Sequence, residues 1–258
     1  MDYDVQLKLQ AFLDDLPDRY FLSTPEADIP GHFDLVGRFA REPLVMHPTH
    51  FPEREFSEFT VVTRDRAGLF SKLTGVLTAN GMNILGARIT TGDSGTAIDV
   101  FRVSHLDKTV GARSNERWER IQSTVRRVLA GELDVEQLVA AARRPSVLGE
   151  RIVPRVGTKV EIDNEVSSDF SVIDVYTQDR VGVLFAITNA LYHLGVSVHL
   201  AKITTNLDQV LDIFYVTDAA GEKIEDGTVL GRIETSVLAA LKAIDDARPR
   251  GPERSGGG

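Results

Sequence analysis

Residues 59–103 and 171–216 of this chain are two copies of one pattern. Asp65 lies over Asp179, Gly68 over Gly182, Gly81 over Gly195 and "ARITT" at 87–91 over "AKITT" at 201–205, all at an offset of 114. The offset falls by one before the last strand, where Asp99, Phe101 and Val103 match Asp212, Phe214 and Val216. A turn tolerates such a slip, whereas within a strand it would send every side chain to the opposite face. The chain therefore builds one unit twice, and 258 residues, 42% of them hydrophobic, suffice for two modest cores.

Each copy reads as the same run of elements. "EFTVVTRD" and "FSVIDVYTQD" are β-rich and end in a polar stop. A helix follows, for which Asp65 or Asp179 serves as N-cap. Its buried face is Leu69, Phe70, Leu73, Val76 and Leu77 in one copy and Val183, Leu184, Ile187, Ala190 and Leu191 in the other. Gly81 and Gly195 stand where a left-handed C-cap is needed, and two strands joined by "GDSG" or "NLDQ" come next. A second helix closes each unit, with Trp118, Ile121, Val125, Val128 and Leu129 inward in the first and Leu230, Ile233, Val237, Leu238, Leu241 and Ile244 in the second.

The order β-α-β-β-α needs one more strand per unit. "TKVEI" at 158–162 is expected to complete the first as β-α-β-β-α-β, and "PLVMH" at 43–47 to fill the vacant edge of the second, unless a dimer covers it. The predicted class is α+β: two ferredoxin-like βαββαβ domains with antiparallel sheets, preceded by a short helical segment. The boundaries drawn are 1–42 for a helical remnant of an upstream domain or linker, 43–165 and 166–247 for the two units, and 248–258 for a disordered tail. Because "AIDVFRV" and "VLDIFYV" are apolar on both parities, the face without helices is expected to meet the sister unit or a second chain. Asp99 and Asp212, on the apolar parity, are expected to pair with backbone or an Arg.

A net charge of −9 argues against a surface for nucleic acid or an anionic membrane, since both need a basic patch. There is no Cys, hence no disulfide and no thiolate metal site, and no signal peptide or apolar run of membrane-spanning length, so a cytoplasmic protein is expected. The six histidines are scattered; His47 and His50 in "HPTH" bracket a Pro and lack a carboxylate cluster, so no metal site is expected.

A strand that ends in Asp, followed by Arg-x-Gly opening a helix, presents backbone N–H groups and a positive dipole end. Glycine there lets a small ligand or a neighbouring backbone approach. An amino acid suits such a turn, its carboxylate taking the N–H groups and its ammonium an acceptor such as Asp65. Asn83, or Ser197 in the second copy, is the residue for a side-chain amide. The alternative is that Asp65 and Asp179 only cap helices and the glycines only permit tight packing.

"TRDRAGLFSKLTGVLTANGMNILGARITT" resembles ACT domains, the regulatory modules that bind amino acids in metabolic enzymes. With "FLDDLPDRYFLSTP" and "PLVMH" ahead of two such units, the chain from Leu9 to about Ala247 resembles the C-terminal part of the bifunctional uridylyltransferase/uridylyl-removing enzymes that modify the PII nitrogen-signalling protein. The resemblance implies a glutamine-sensing module that controls uridylylation and deuridylylation of PII. It places ligand contacts at Asp65, Arg66, Ala67, Gly68 and Asn83, and at Asp179, Arg180, Val181, Gly182 and Ser197. The implied partners are glutamine, upstream catalytic domains or a partner enzyme, PII indirectly, and a second copy through the ACT sheets. That family's nucleotidyltransferase domain, with its Mg2+, and its His-Asp phosphohydrolase domain have no counterpart here, so the chain is expected to be non-catalytic and free of cofactor. A stand-alone ACT regulator of a separate metabolic enzyme is the alternative.

Two further strings carry no chemistry. "GDSG" at 92–95 surrounds the nucleophile in chymotrypsin-like proteases, but between two strands it reads as a hairpin turn. Arg113, Arg117, Arg120, Arg126 and Arg127 surround an apolar helical stripe and read as a solvated face or a surface for another subunit.

Overall fold

The computed structural model describes residues 3–105, 115–142, 157–178, 181–206 and 209–246. The tail, Arg113, and Asp179 and Arg180 of the second turn lie outside the described residues. Three helices come first: α1 (Tyr3–Asp14), α2 (Asp18–Ser23) and α3 (Ile29–Phe39). The first unit is β1 (Leu44–Phe51), β2 (Phe56–Arg64), α4 (Leu69–Ala79), β3 (Met82–Thr91), β4 (Thr96–His105) and α5 (Asn115–Leu129), followed by α6 (Val135–Ala142). The second is β5 (Lys159–Asp163), β6 (Ser171–Gln178), α7 (Val183–His193), β7 (Ser197–Asn206), β8 (Gln209–Thr217) and α8 (Gly227–Asp246).

All eight strands form one antiparallel sheet in the order β1-β2-β4-β3-β7-β8-β6-β5. The two ferredoxin-like units are thus joined edge to edge, β3 against β7, through Gly86–Lys202, Ala87–Ala201 and Arg88–Leu200. Ala87 and Ala201 are equivalent in the repeat, so an approximate twofold axis passes between them. The same axis passes between Thr74 of α4 and Thr188 of α7, whose hydroxyls are 3.0 Å apart.

The expected edge strands are exchanged. β1, which contains 44–47, pairs with β2 of the first unit, and β5, which contains 159–162, pairs with β6 of the second. Each fourth strand precedes its unit instead of following it. The reason is chain geometry: the turn at Pro52–Arg54, ending in Glu55 at φ 54°, folds β1 directly back onto β2, a closure far cheaper in loop entropy than a return across the sheet.

Alternation sorts each strand between two layers. Phe59, Val61, Phe101 and Val103 face α4 and α5; Ile173, Val175, Phe214 and Val216 face α7 and α8. Phe59, Phe101, Leu73, Leu77 and Ile121 are essentially unexposed, each worth about 1.5–3 kcal/mol of burial. On the other parity Val45, Val62, Ile98 and Val100 pack against Phe12 of α1, Leu16 of the α1–α2 connection, Tyr20 of α2 and Leu35 of α3. The face expected to meet a sister unit or second chain is therefore covered, in the first unit, by the N-terminal helices. On α5, Arg120, Arg126 and Arg127 are exposed as expected, whereas Arg117 is buried.

Candidate functional site

The first turn is held on both sides. Asp65 donates its backbone N–H to Gly95 O and accepts from Thr91 Oγ1 at 3.1 Å, which ties it to the β3–β4 hairpin. It does not cap α4: the N-cap is Gly68, left-handed at φ 73° with no side-chain cap. Leu69 N–H closes the turn onto Arg66 O. Arg66 donates from Nη1 to Leu129 O at 3.1 Å, fastening the last turn of α5. Ala67 is exposed. In the second turn Val181 is exposed, and Gly182 repeats the left-handed N-cap at φ 89° before α7.

Gly68 is required twice. Its positive φ strains any L side chain, and an added Cβ would stand 3.1 Å from the ring of Tyr192, at the end of α7 in the other unit. α4 and α7 run antiparallel about the twofold axis, so the opening of one helix meets the end of the other. Ser71 donates to Asn189 Oδ1 at 3.3 Å, and Asn189 Nδ2 donates to Glu136 Oε1 of α6 at 3.1 Å. These elements enclose a cavity of about 400 Å3, whose walls include Gly68, Lys72, Asp134, Glu136, Tyr192 and His193. It has the size of a small polar metabolite and offers both charge signs.

Asn83 and Ser197 do not join their own turns. Asn83 begins β3, opposite Ser104, while the turn at 65–68 adjoins the end of β3 at Thr91. Antiparallel pairing of β3 with β7 puts the start of β7, with Ser197, at the same end of the sheet as the first turn, and Asn83 at the end from which the second turn leaves. Each of these residues therefore lies, by topology, at the end of the sheet where the turn of the other unit sits. Spacing within one repeat could not reveal this, because the pairing happens across the seam.

Lys72, Glu136, Asn189 and Tyr192 were missed by sequence reasoning. Lys72 and Asn189 occupy polar helical positions that nothing local distinguishes. α6 does have a signal, Asp134 followed by "VEQLVAAA": Asp134 Oδ1 accepts from the N–H groups of Glu136 and Gln137 as an N-cap.

Below the first turn, Asp99 is 1% exposed and neither carboxyl oxygen has a hydrogen-bond partner among the described residues. The expected backbone or Arg partner is absent there. Burial first, and the nearby Asp65 second, hold its pKa well above the usual carboxylate range. Asp212 is equally buried. Among the described residues no three His, Asp or Glu side chains gather as metal ligands. The "GDSG" string is a hairpin turn, with Gly95 at φ 76° and Ser94 held by Asp15 of the segment after α1. No described helix is long and apolar enough to cross a membrane.

Residues 166–243 match the model of the ACR family N-terminal ACT domain. The chain is 37% identical over 213 residues to a bifunctional uridylyltransferase/uridylyl-removing enzyme of Rhodospirillum rubrum, covering 80% of this chain and 22% of that protein. It is 34% identical over 211 residues to the enzyme of the same description from Gluconobacter oxydans, covering 81% and 22%. The chain thus spans 22% of the length of these relatives. Among solved structures, an aspartate kinase from Synechocystis aligns over 74% of this chain and 28% of its own, at 15% identity and a TM-score of 0.41.

Proposed function

We propose that this chain is a non-catalytic, cytoplasmic amino-acid sensor, with glutamine as ligand, that regulates uridylylation and deuridylylation of PII by an attached or partner enzyme. The observation that carries the reading is the cavity between the first turn and α7, whose walls come from both units and from α6. Lys72 supplies a cation for the α-carboxylate, Asp134 and Glu136 supply anions for the ammonium, and Asn189 suits a carboxamide. A ligand there touches both units at once. It stabilises the arrangement of the two units that fits it best, by its difference in affinity between arrangements.

Titration calorimetry of the purified chain with a panel of amino acids tests this. Glutamine is expected to bind, and Lys72→Met and Glu136→Gln each to weaken it tenfold or more with unchanged melting temperature. Glutamine binding that neither variant alters places the ligand elsewhere; no heat with any amino acid sinks the sensor reading.

A further inference from the structure

The two units differ in one respect the repeat does not predict. In the first, the sheet face away from α4 and α5 is sealed by α1–α3. In the second, among the described residues, the helices reach only the β7 margin of the equivalent face, where Leu22 and Ser23 of α2 line a cleft with Leu200 and Lys202. Val62, Ile98 and Val100, buried under the N-terminal helices, correspond in the repeat to Tyr176, Leu211 and Ile213, of which Tyr176 is 36% exposed and the other two are half-buried. An apolar sheet face left in water is unfavourable unless something covers it.

The layout of charge on that face identifies its cover. Register places Lys202 of β7 beside Ile213 of β8, Ile213 beside Asp174 of β6, and Asp174 beside Glu161 of β5. One row across the sheet thus runs from a cation through an apolar centre to two carboxylates. Asp174 Oδ1 is buried without a hydrogen-bond partner. Lys202 is exposed, and its recorded interaction is with the Tyr215 ring at 5.4 Å. A row with one sign at each end is self-complementary under a twofold axis along its centre.

We propose that this face of the second unit pairs with the same face of a second copy of the chain, the twofold axis running along β8. Leu211, Ile213 and Tyr215 then meet their own counterparts across sheets about 10 Å apart, and Lys202 of each copy meets Asp174 of the other. Burial of the β8 side chains drives the association; the two cross pairs fix its direction.

Sedimentation equilibrium of the purified chain tests the pairing. A dimer of the 28.4 kDa chain is expected. Lys202→Glu, which leaves the core intact, is expected to raise the dimer dissociation constant tenfold or more, and Lys202→Glu combined with Asp174→Lys to restore it. A wild-type monomer overturns the proposal and leaves the face to another protein or another part of a longer one. A dimer indifferent to both variants overturns it as well, since its interface is elsewhere.

Discussion

Thr74 and Thr188 are equivalent residues of the two repeats, and they meet each other: both side chains are buried and their hydroxyl oxygens are 3.0 Å apart. Thr74 also reaches Ser71 O, and Thr188 reaches Leu184 O. Each hydroxyl has one proton, so one of the two must face its partner for the contact to be a hydrogen bond. Thr74→Val and Thr188→Val are each expected to cost about 1 kcal/mol in urea denaturation, and the double variant clearly less than the two together. Strict additivity would mean that the two hydroxyls share no bond.

Gly75, one residue further along α4, faces Phe185 and Val135. An added Cβ would collide with Val135 Cγ2 and lie 2.9 Å from the Phe185 ring, so α4, α6 and α7 close over this point. Gly75→Val is expected to destabilise the fold by about 2 kcal/mol, overpacking outweighing the modest gain of replacing a helical glycine. Thermal melts give the answer, and an unchanged or raised melting temperature would show that α6 yields freely.

His32 and His199 should make the fold acid-sensitive. Burial pushes each imidazole down to about 4 from an ordinary 6.5, with Arg88 adding to the effect at His32 and Arg19 at His199. The folded pKa lies below the unfolded one, so the unfolded chain binds more protons between pH 6.5 and 4, and stability falls as pH drops through that window. Each histidine is expected to remove about 2 kcal/mol between pH 7 and 5. His32 bonds to Tyr20 at 2.7 Å beneath the N-terminal helices, so exposure of Tyr20 should track the loss. His32→Gln should flatten the pH profile measured by urea denaturation.

Asp99 acts in the opposite direction. Its folded pKa is raised, so the folded chain holds the extra proton and stability falls as pH rises from the ordinary 3.8 toward the folded value. Asp99→Asn is expected to be more stable than wild type at neutral pH, with the gain shrinking toward pH 4. A variant less stable at pH 7 would show an undetected partner for the carboxylate.

Gly68→Val is a poor probe of ligand binding, because φ 73° and the Tyr192 ring already forbid a side chain without any ligand. It is expected to lower the melting temperature by several degrees even in the absence of amino acids. Scanning calorimetry of the ligand-free variant checks this, and a melting point equal to wild type would return the glycine to a purely ligand-approach role.

The repeat was legible because apolar periodicity and two left-handed glycines recur at one offset, and these features fix strand, turn and helix locally. Phe59, Phe101, Leu73 and Ile121 are core for that reason. The partner of each edge strand was not legible: residues 44–47 and 159–162 are both short and apolar, and the choice rested on loop length and on which edge the seam consumes. That Asn83 and Ser197 lie at the far end of the sheet from their own units' turns was not legible either, because a repeat says which residues are equivalent and not how the two units pair. Tyr192 over Gly68 is invisible to any local pattern, since the contact depends on how α4 and α7 cross.

Three residue pairs weld β3 to β7, against eight between β2 and β4 and nine between β7 and β8. In mechanical terms the strand seam is narrow, and the packing of α4 and α6 on α7 above it carries the rest of the load. Torsion between the units concentrates at Gly86–Arg88, and the threonine pair overhead is the pivot's second bearing. Any rotation there would change the separation of Gly68 and Tyr192 and would have to slide α4 over α7, where Gly75 lies against Phe185.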